Sequence, residues 1–141
     1  MDWVLLVGRI AFAALFIPSG IQGHVLDRST SVPYAQAMGA PLPELSVPVS
    51  GLAIAAAGIL VVLGIWVDLA SLVLAASVLG FAYWMHAFWK VDDPQMRAMQ
   101  RAHFMKNVAI AGAALGLFYL FNQFGPAIGL TIGDGRLFGK L

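Results

Sequence analysis

Residues 48–89 read PVSGLAIAAAGILVVLGIWVDLASLVLAASVLGFAYWMHAFW. Two apolar runs, 48–66 and 69–89, stand almost back to back, with a single formal charge between them at Asp68. A helix crosses the hydrocarbon core of a bilayer with about 20 apolar residues, so each run is long enough to span. The 64–68 segment has room only for a tight turn, which makes the two helices antiparallel neighbours. Ser46 is a candidate N-cap for the first of them, with Pro48 in its opening turn.

Reading outward, a further apolar run covers 3–23. It exceeds the 7–15 apolar residues of a signal peptide and carries Asp2 where a basic segment would stand, so an uncleaved helix is expected. Residues 24–47 are interrupted by Pro33, Gly39, Pro41 and Pro43, which argues for an irregular connection holding at most a short helix near 34–38. On the other side, Asp93-Pro94 is an N-cap followed by a first-turn proline. It opens a helix over 94–124 that starts polar and Met-rich and becomes apolar from Val108, ending at Gly125-Pro126. The glycine-rich tail shows no periodicity. The expected architecture is an all-α membrane protein, one four-transmembrane-helix antiparallel bundle over residues 1–141. Both termini and the 64–68 turn lie on one side, and the 24–47 and 90–101 connections on the other, the loop side. Arg28, Lys90, Arg97 and Arg101 on the loop side outnumber Arg136 and Lys140 in the tail, a bias that favours a cytoplasmic loop side.

Composition agrees. Hydrophobic residues make up 60% of the 141 and charged residues 11%, where soluble domains carry about 25% charge. A net charge of +1 leaves no basic patch for nucleic acid. The absence of cysteine excludes disulfides, thiolate metal sites and thiolate-ligated clusters within this chain.

Few residues remain that can carry chemistry. Arg9 lies about two turns into the first span, where an ionised group costs at least a few kcal/mol unless it snorkels or finds a partner. It either reaches the near interface toward Asp2, Asp68 or the tail, anchors an anionic or quinone-like headgroup from inside, or meets another subunit. His24, His86 and His103 all fall at loop-side helix ends, and Gln22, Lys106 and Asn107 lie at similar depth. Together they outline a polar stratum that could hold a headgroup or relay protons. Metal ligation is not expected, because no HxxxH or HExxH spacing and no carboxylate within the spans completes a common ligand set. The candidate ligand-binding residues are Arg9, Gln22, His86, Lys106 and Asn107. Gly112 and Gly116 form a GxxxG, and Ala53/Ala57 and Ala76/Gly80 repeat the spacing, read as packing seams inside the bundle. No Ser-His-Asp pattern, phosphate loop or carboxylate pair names a reaction.

The order and spacing of several short motifs resemble the DoxX family of small four-helix bacterial and archaeal membrane proteins. They are Arg9 before an apolar run ending in Gly20-Ile21-Gln22, then Met38-Gly39-Ala40-Pro41-Leu42-Pro43, and Gly51, Gly58 and Gly64 in the second span. His86, Lys106-Asn107 and Gly125-Pro126 follow. The sequence departs from the family where Ile54 stands at a common glutamate, His24 near a usual lysine, and Asp68 in a turn that is often basic. The resemblance implies a multi-pass protein of the cell inner (plasma) membrane. It also implies an accessory or membrane-anchor subunit of a redox-linked, quinone-associated complex, with no covalent cofactor but a quinone or other lipid-soluble ligand. The alternative is a non-catalytic scaffold of a larger assembly. Expected partners are the lipid bilayer and either other membrane subunits or further copies of the chain.

Overall fold

The computed structural model describes residues 1–141. Helix α1 (Asp2–Pro18) continues as a π-helical segment, Ser19–Leu26. It is followed by α2 (Arg28–Ala37), α3 (Pro43–Leu63), α4 (Val67–Met85), a 3₁₀ turn at Phe88–Lys90 and α5 (Pro94–Phe124). Four of these stretches, Asp2–Leu26, Pro43–Leu63, Val67–Lys90 and Pro94–Ala127, are long and apolar enough to cross a membrane. The chain is thus an all-α, four-span antiparallel bundle, with α2 lying across its loop side.

The core runs along the axis through Phe16, Ile54, Val61, Leu74, Val78, Ala114 and Phe121. On one flank α1 and its π extension lie against α3 at very short range. A Cβ on Gly20 would overlap the Gly51 carbonyl, and one on Gly58 would press on Ile17. This glycine seam lets two backbones approach as small residues allow in lipid, where no hydrophobic force drives helices together. By contrast, Gly112 and Gly116 have nothing within 4 Å. The GxxxG of α5 is therefore not an internal seam, because α5 packs on α4 through the opposite face, with Asn107, Ala111, Ala114 and Phe121 buried.

Local chemistry explains most boundaries. Asp93 accepts from the Met96 N–H and Pro94 fills the first helical position, so α5 starts and ends where its sequence signals lie. The expected 64–68 turn forms over 64–66 only, since Val67 and Asp68 already belong to α4, with Gly64 (φ +73) and Trp66 (φ +46) in left-handed conformations. Gly64 is required twice over, since its positive φ suits glycine and the Arg9 guanidinium occupies the space of a side chain.

Three expectations need correction. Residues 24–47 are mostly helical rather than irregular: Pro33 sits inside α2, where its missing N–H deprives only one carbonyl of a partner. Val32 and Ala35 hold the helix down on Val47. Helix α3 begins at Pro43, not near 48, because Pro43 itself takes the first helical position after a left-handed Leu42. Ser46 lies inside the helix, and its N–H bonds the Leu42 carbonyl. Helix α4 ends at Met85, which places His86 at its C-cap rather than within its last turn.

The aperiodic tail is folded and ties the terminus side together. Asp68, fully buried, accepts from its neighbour Leu69 and from the Leu137 and Phe138 N–H groups at 2.8, 2.8 and 2.9 Å. Asn122 donates to the Gly139 carbonyl and accepts from the Leu141 N–H. The Ile132 N–H reaches the Leu63 carbonyl, and the Val67 N–H donates to Gly135. Replacing Asp68 with alanine strips three N–H groups of their acceptor, two of them on the tail. A loss of about 3 kcal/mol is expected at roughly 1–3 kcal/mol per buried unpaired group, discounted for the water that reaches a loosened tail. Asp68→Asn, which keeps an acceptor oxygen, costs less. Unfolding in mixed micelles and the rate of protease cleavage within 125–141 check this; an Asp68→Ala protein as stable and as resistant as the parent contradicts it.

Candidate functional site

At the loop side the helices part around a cavity of about 710 Å³. Its floor is apolar, built by Leu15, Phe16, Ile54 and Val78, and its side walls carry Phe81 and Trp84. Ser31, Tyr34 and Ala35 of α2, with Ala40 and Pro41, form the roof. Polar groups enter from every side: His24 from the π segment, Ser46 and Ser50 from α3, Ser77 from α4, His86 from its C-cap, and Lys106 and Asn107 from α5.

The placement of His24 follows from the backbone. Pro18 cannot supply an amide hydrogen to the preceding turn, and the helix widens into the π segment directly after it. Such segments are frequent at functional sites. The His24 Nδ1 then lies 2.9 Å from the Ser19 carbonyl, five residues back. A carbonyl only accepts, so Nδ1 is the donor. The other flank of His24 is fixed by Gly51, whose missing Cβ leaves the space the His24 Cβ occupies. The ring lies 5.4 Å from Phe81. His86 is held comparably: its Nδ1 is 2.8 Å from Gln100 Oε1, and its ring stacks on His103 at 5.1 Å and 23°.

Of the residues singled out in the sequence, His86, Lys106 and Asn107 border this one cavity. Gln22 does not, and is exposed on the outer surface. Arg9 belongs to the opposite end. Fully buried, it donates from Nη2 to the Leu130 carbonyl of the tail and lies 5.7 Å from the centre of the Phe121 ring. It therefore faces the interior, but against the tail rather than the cavity. No cluster of three or more His, Cys, Asp or Glu side chains has metal-binding geometry.

Sequence reasoning grouped His24 with the other histidines yet left it out of the candidate set, and it passed over Tyr34 and the serines. Spacing carries a signal for some of them. Ser46 and Ser50 are four apart on α3, and Ser31 and Tyr34 three apart on α2, so each pair shares a helical face.

Comparison with known proteins adds three findings. The family model described as DoxX matches residues 4–87. The Escherichia coli (strain K12) protein named Inner membrane protein YphA is 31% identical over 112 residues, covering 79% of each chain. No solved structure matches.

Because Gly51 makes room for His24, Gly51→Ala is expected to overpack the α1–α3 seam by about 1–3 kcal/mol and to displace the imidazole. Gly112→Ala, which meets open space, should change stability by no more than about 0.5 kcal/mol. Thermal unfolding of the two variants side by side decides this; equal effects contradict the packing described.

Proposed function

The chain belongs to the DoxX family of integral membrane proteins, and from that premise we propose that its loop-side cavity holds the ring headgroup of a quinone or similar lipid-soluble molecule. In this reading the protein is the accessory or membrane-anchor subunit of a redox-linked complex in the inner membrane, the membrane in which its Escherichia coli relative is named. The observation that carries the reading is the cavity itself. Its volume of about 710 Å³ falls within the roughly 300–1,000 Å³ of small-molecule sites. Its walls combine aromatic and aliphatic faces with a few converging polar groups, the usual make-up of such sites. A headgroup lying between Phe81 and Trp84 would meet Lys106 and Asn107 as donors from α5 and His24 and His86 from the facing elements. A quinone tail would follow the apolar floor toward the acyl chains. Arg9 and Gln22 have no part in this site.

One observation favours the second reading, a non-catalytic scaffold. The face of α5 carrying Ala102, Ala109, Gly112 and Gly116 is exposed and has the small-residue spacing against which a helix of another subunit could pack closely. The two readings differ in what the cavity must do.

A short-tailed benzoquinone titrated into the protein in nanodiscs should quench tryptophan fluorescence saturably, Trp84 being at the cavity wall. His86→Ala combined with Lys106→Ala should weaken that binding by at least about tenfold, which is about 1.4 kcal/mol, while Gln22→Ala leaves it unchanged. Absence of saturable binding to the parent, or retention by the double variant, moves the balance to the scaffold.

A further inference from the structure

The polar lining of the cavity is unbalanced in a way that bears on its ligand. Where a hydroxyl donates its proton to a backbone carbonyl, only its lone pairs remain for a guest. Ser31 donates to the Gly23 or the Asp27 carbonyl, Ser50 to Val47, Ser77 to Val73 and Tyr34 to Met85. All four side chains line the cavity.

The two histidines follow the same rule. A neutral imidazole carries one ring proton. At His24 that proton sits on Nδ1, bonded to the Ser19 carbonyl, and at His86 Nδ1 carries it where Gln100 presents its Oε1, 2.8 Å away, as in this structure. In both rings the nitrogen left for a ligand is a bare Nε2, which can only accept. Gly51 and Phe81 hold the His24 ring in place and stacking on His103 holds that of His86, so each Nδ1 stays on its partner.

Lys106 and Asn107 supply donors from α5 and the Ser19 and Ser46 hydroxyls donate to no carbonyl, while the other hydroxyls and both imidazoles present acceptors, so acceptors predominate on the wall. No aspartate or glutamate lines the cavity and Lys106 does, so a cation is not the guest these acceptors are arranged for. A neutral guest that brings its own donors satisfies them. Among ring compounds of this size that means hydroxyl groups.

We propose that His24 and His86 are pre-set hydrogen-bond acceptors through which the cavity selects the reduced, dihydroxy form of its ring ligand, a hydroquinone, over the carbonyl-bearing quinone. This rests on the quinone-class reading of the cavity and adds the redox state that is retained. The oxidised ring presents carbonyl lone pairs to imidazole lone pairs, leaving both without a partner from the other, whereas the hydroquinone donates to the Nε2 atoms and still accepts from Lys106.

Two measurements on the full chain in nanodiscs test it. In the first, long-range ¹H–¹⁵N correlation spectra of histidine-labelled protein report the tautomers directly. Nδ1–H with an unprotonated Nε2 is expected at both His24 and His86, and an Nε2–H tautomer at either overturns the proposal. In the second, a short-tailed benzoquinone and its hydroquinone, kept reduced under argon, are titrated separately. The hydroquinone should bind at least about tenfold tighter, equivalent to about 1.4 kcal/mol, and His24→Phe, which keeps a ring against Phe81, should narrow that gap to within about twofold. If that variant does not fold, His86→Phe serves the same purpose. Equal affinities, or tighter binding of the quinone, overturn the selectivity and leave the quinone-class reading standing. If neither form binds, that reading fails and the proposal fails with it.

Discussion

A guanidinium with no exposed surface, carried on a helix that crosses a bilayer, has to be partnered by the protein itself, and at Arg9 the partner comes from the far end of the chain. Solvent cannot supply it, and leaving the group unpaired in hydrocarbon costs at least a few kcal/mol. The Leu130 carbonyl accepts from it, the Phe121 ring lies against it, and Gly64 makes room for it. The Leu130 contact, the one hydrogen bond among the three, does not form unless the tail folds back over α3, α4 and α5. Asp68 and Asn122 secure the tail by taking or giving hydrogen bonds at residues 137–141. The terminus side is thus closed by an ordered, irregular segment whose backbone polar groups are answered by side chains of the spans, as backbone at membrane depth must be.

The loop side is arranged on the opposite principle. Polar side chains converge there too, but around a cavity, with the protons of His24, Ser31, Ser50 and Ser77 given to backbone carbonyls and their lone pairs left toward the space. The π segment and the break after Met85 are departures from regular helix, and each brings a histidine to the cavity wall. At one end polarity is spent on structure. At the other it is left facing a space of ligand size.

How much of this was legible in the sequence depended on how local its cause is. The start of α5 could be read to the residue and the turn at Gly64 to within two residues, because an Asp-Pro cap and a left-handed glycine are decided within a few positions. Four apolar runs gave the span count for the same reason. The helical character of 28–37 was hidden by Pro33, whose cost is offset by Val32 and Ala35 packing on Val47, a contact no local pattern encodes. The tail was unreadable because its order comes from Arg9, Asp68 and Asn122, all distant in sequence. Depth along the bundle groups His86, Lys106 and Asn107, which border one cavity, but depth does not fix azimuth. Gln22 shares the stratum and points outward, while His24, two residues on, enters the cavity through the π turn. The α5 GxxxG misled for a related reason: small-residue spacing marks a close-packing face without saying whether its partner is inside the chain.

The central claim is that the loop-side cavity is a binding site, distinct from the structural polar cluster around Arg9. Native mass spectrometry of the full chain, released from the mildest detergent that extracts it, addresses this directly. The account predicts a bound ring-bearing isoprenoid compound, retained when Arg9 is changed to Lys in protein that remains folded and lost when His24 and His86 are both changed to Phe. A parent protein that carries no small molecule beyond phospholipid, or one whose ligand survives loss of both histidines, would contradict it.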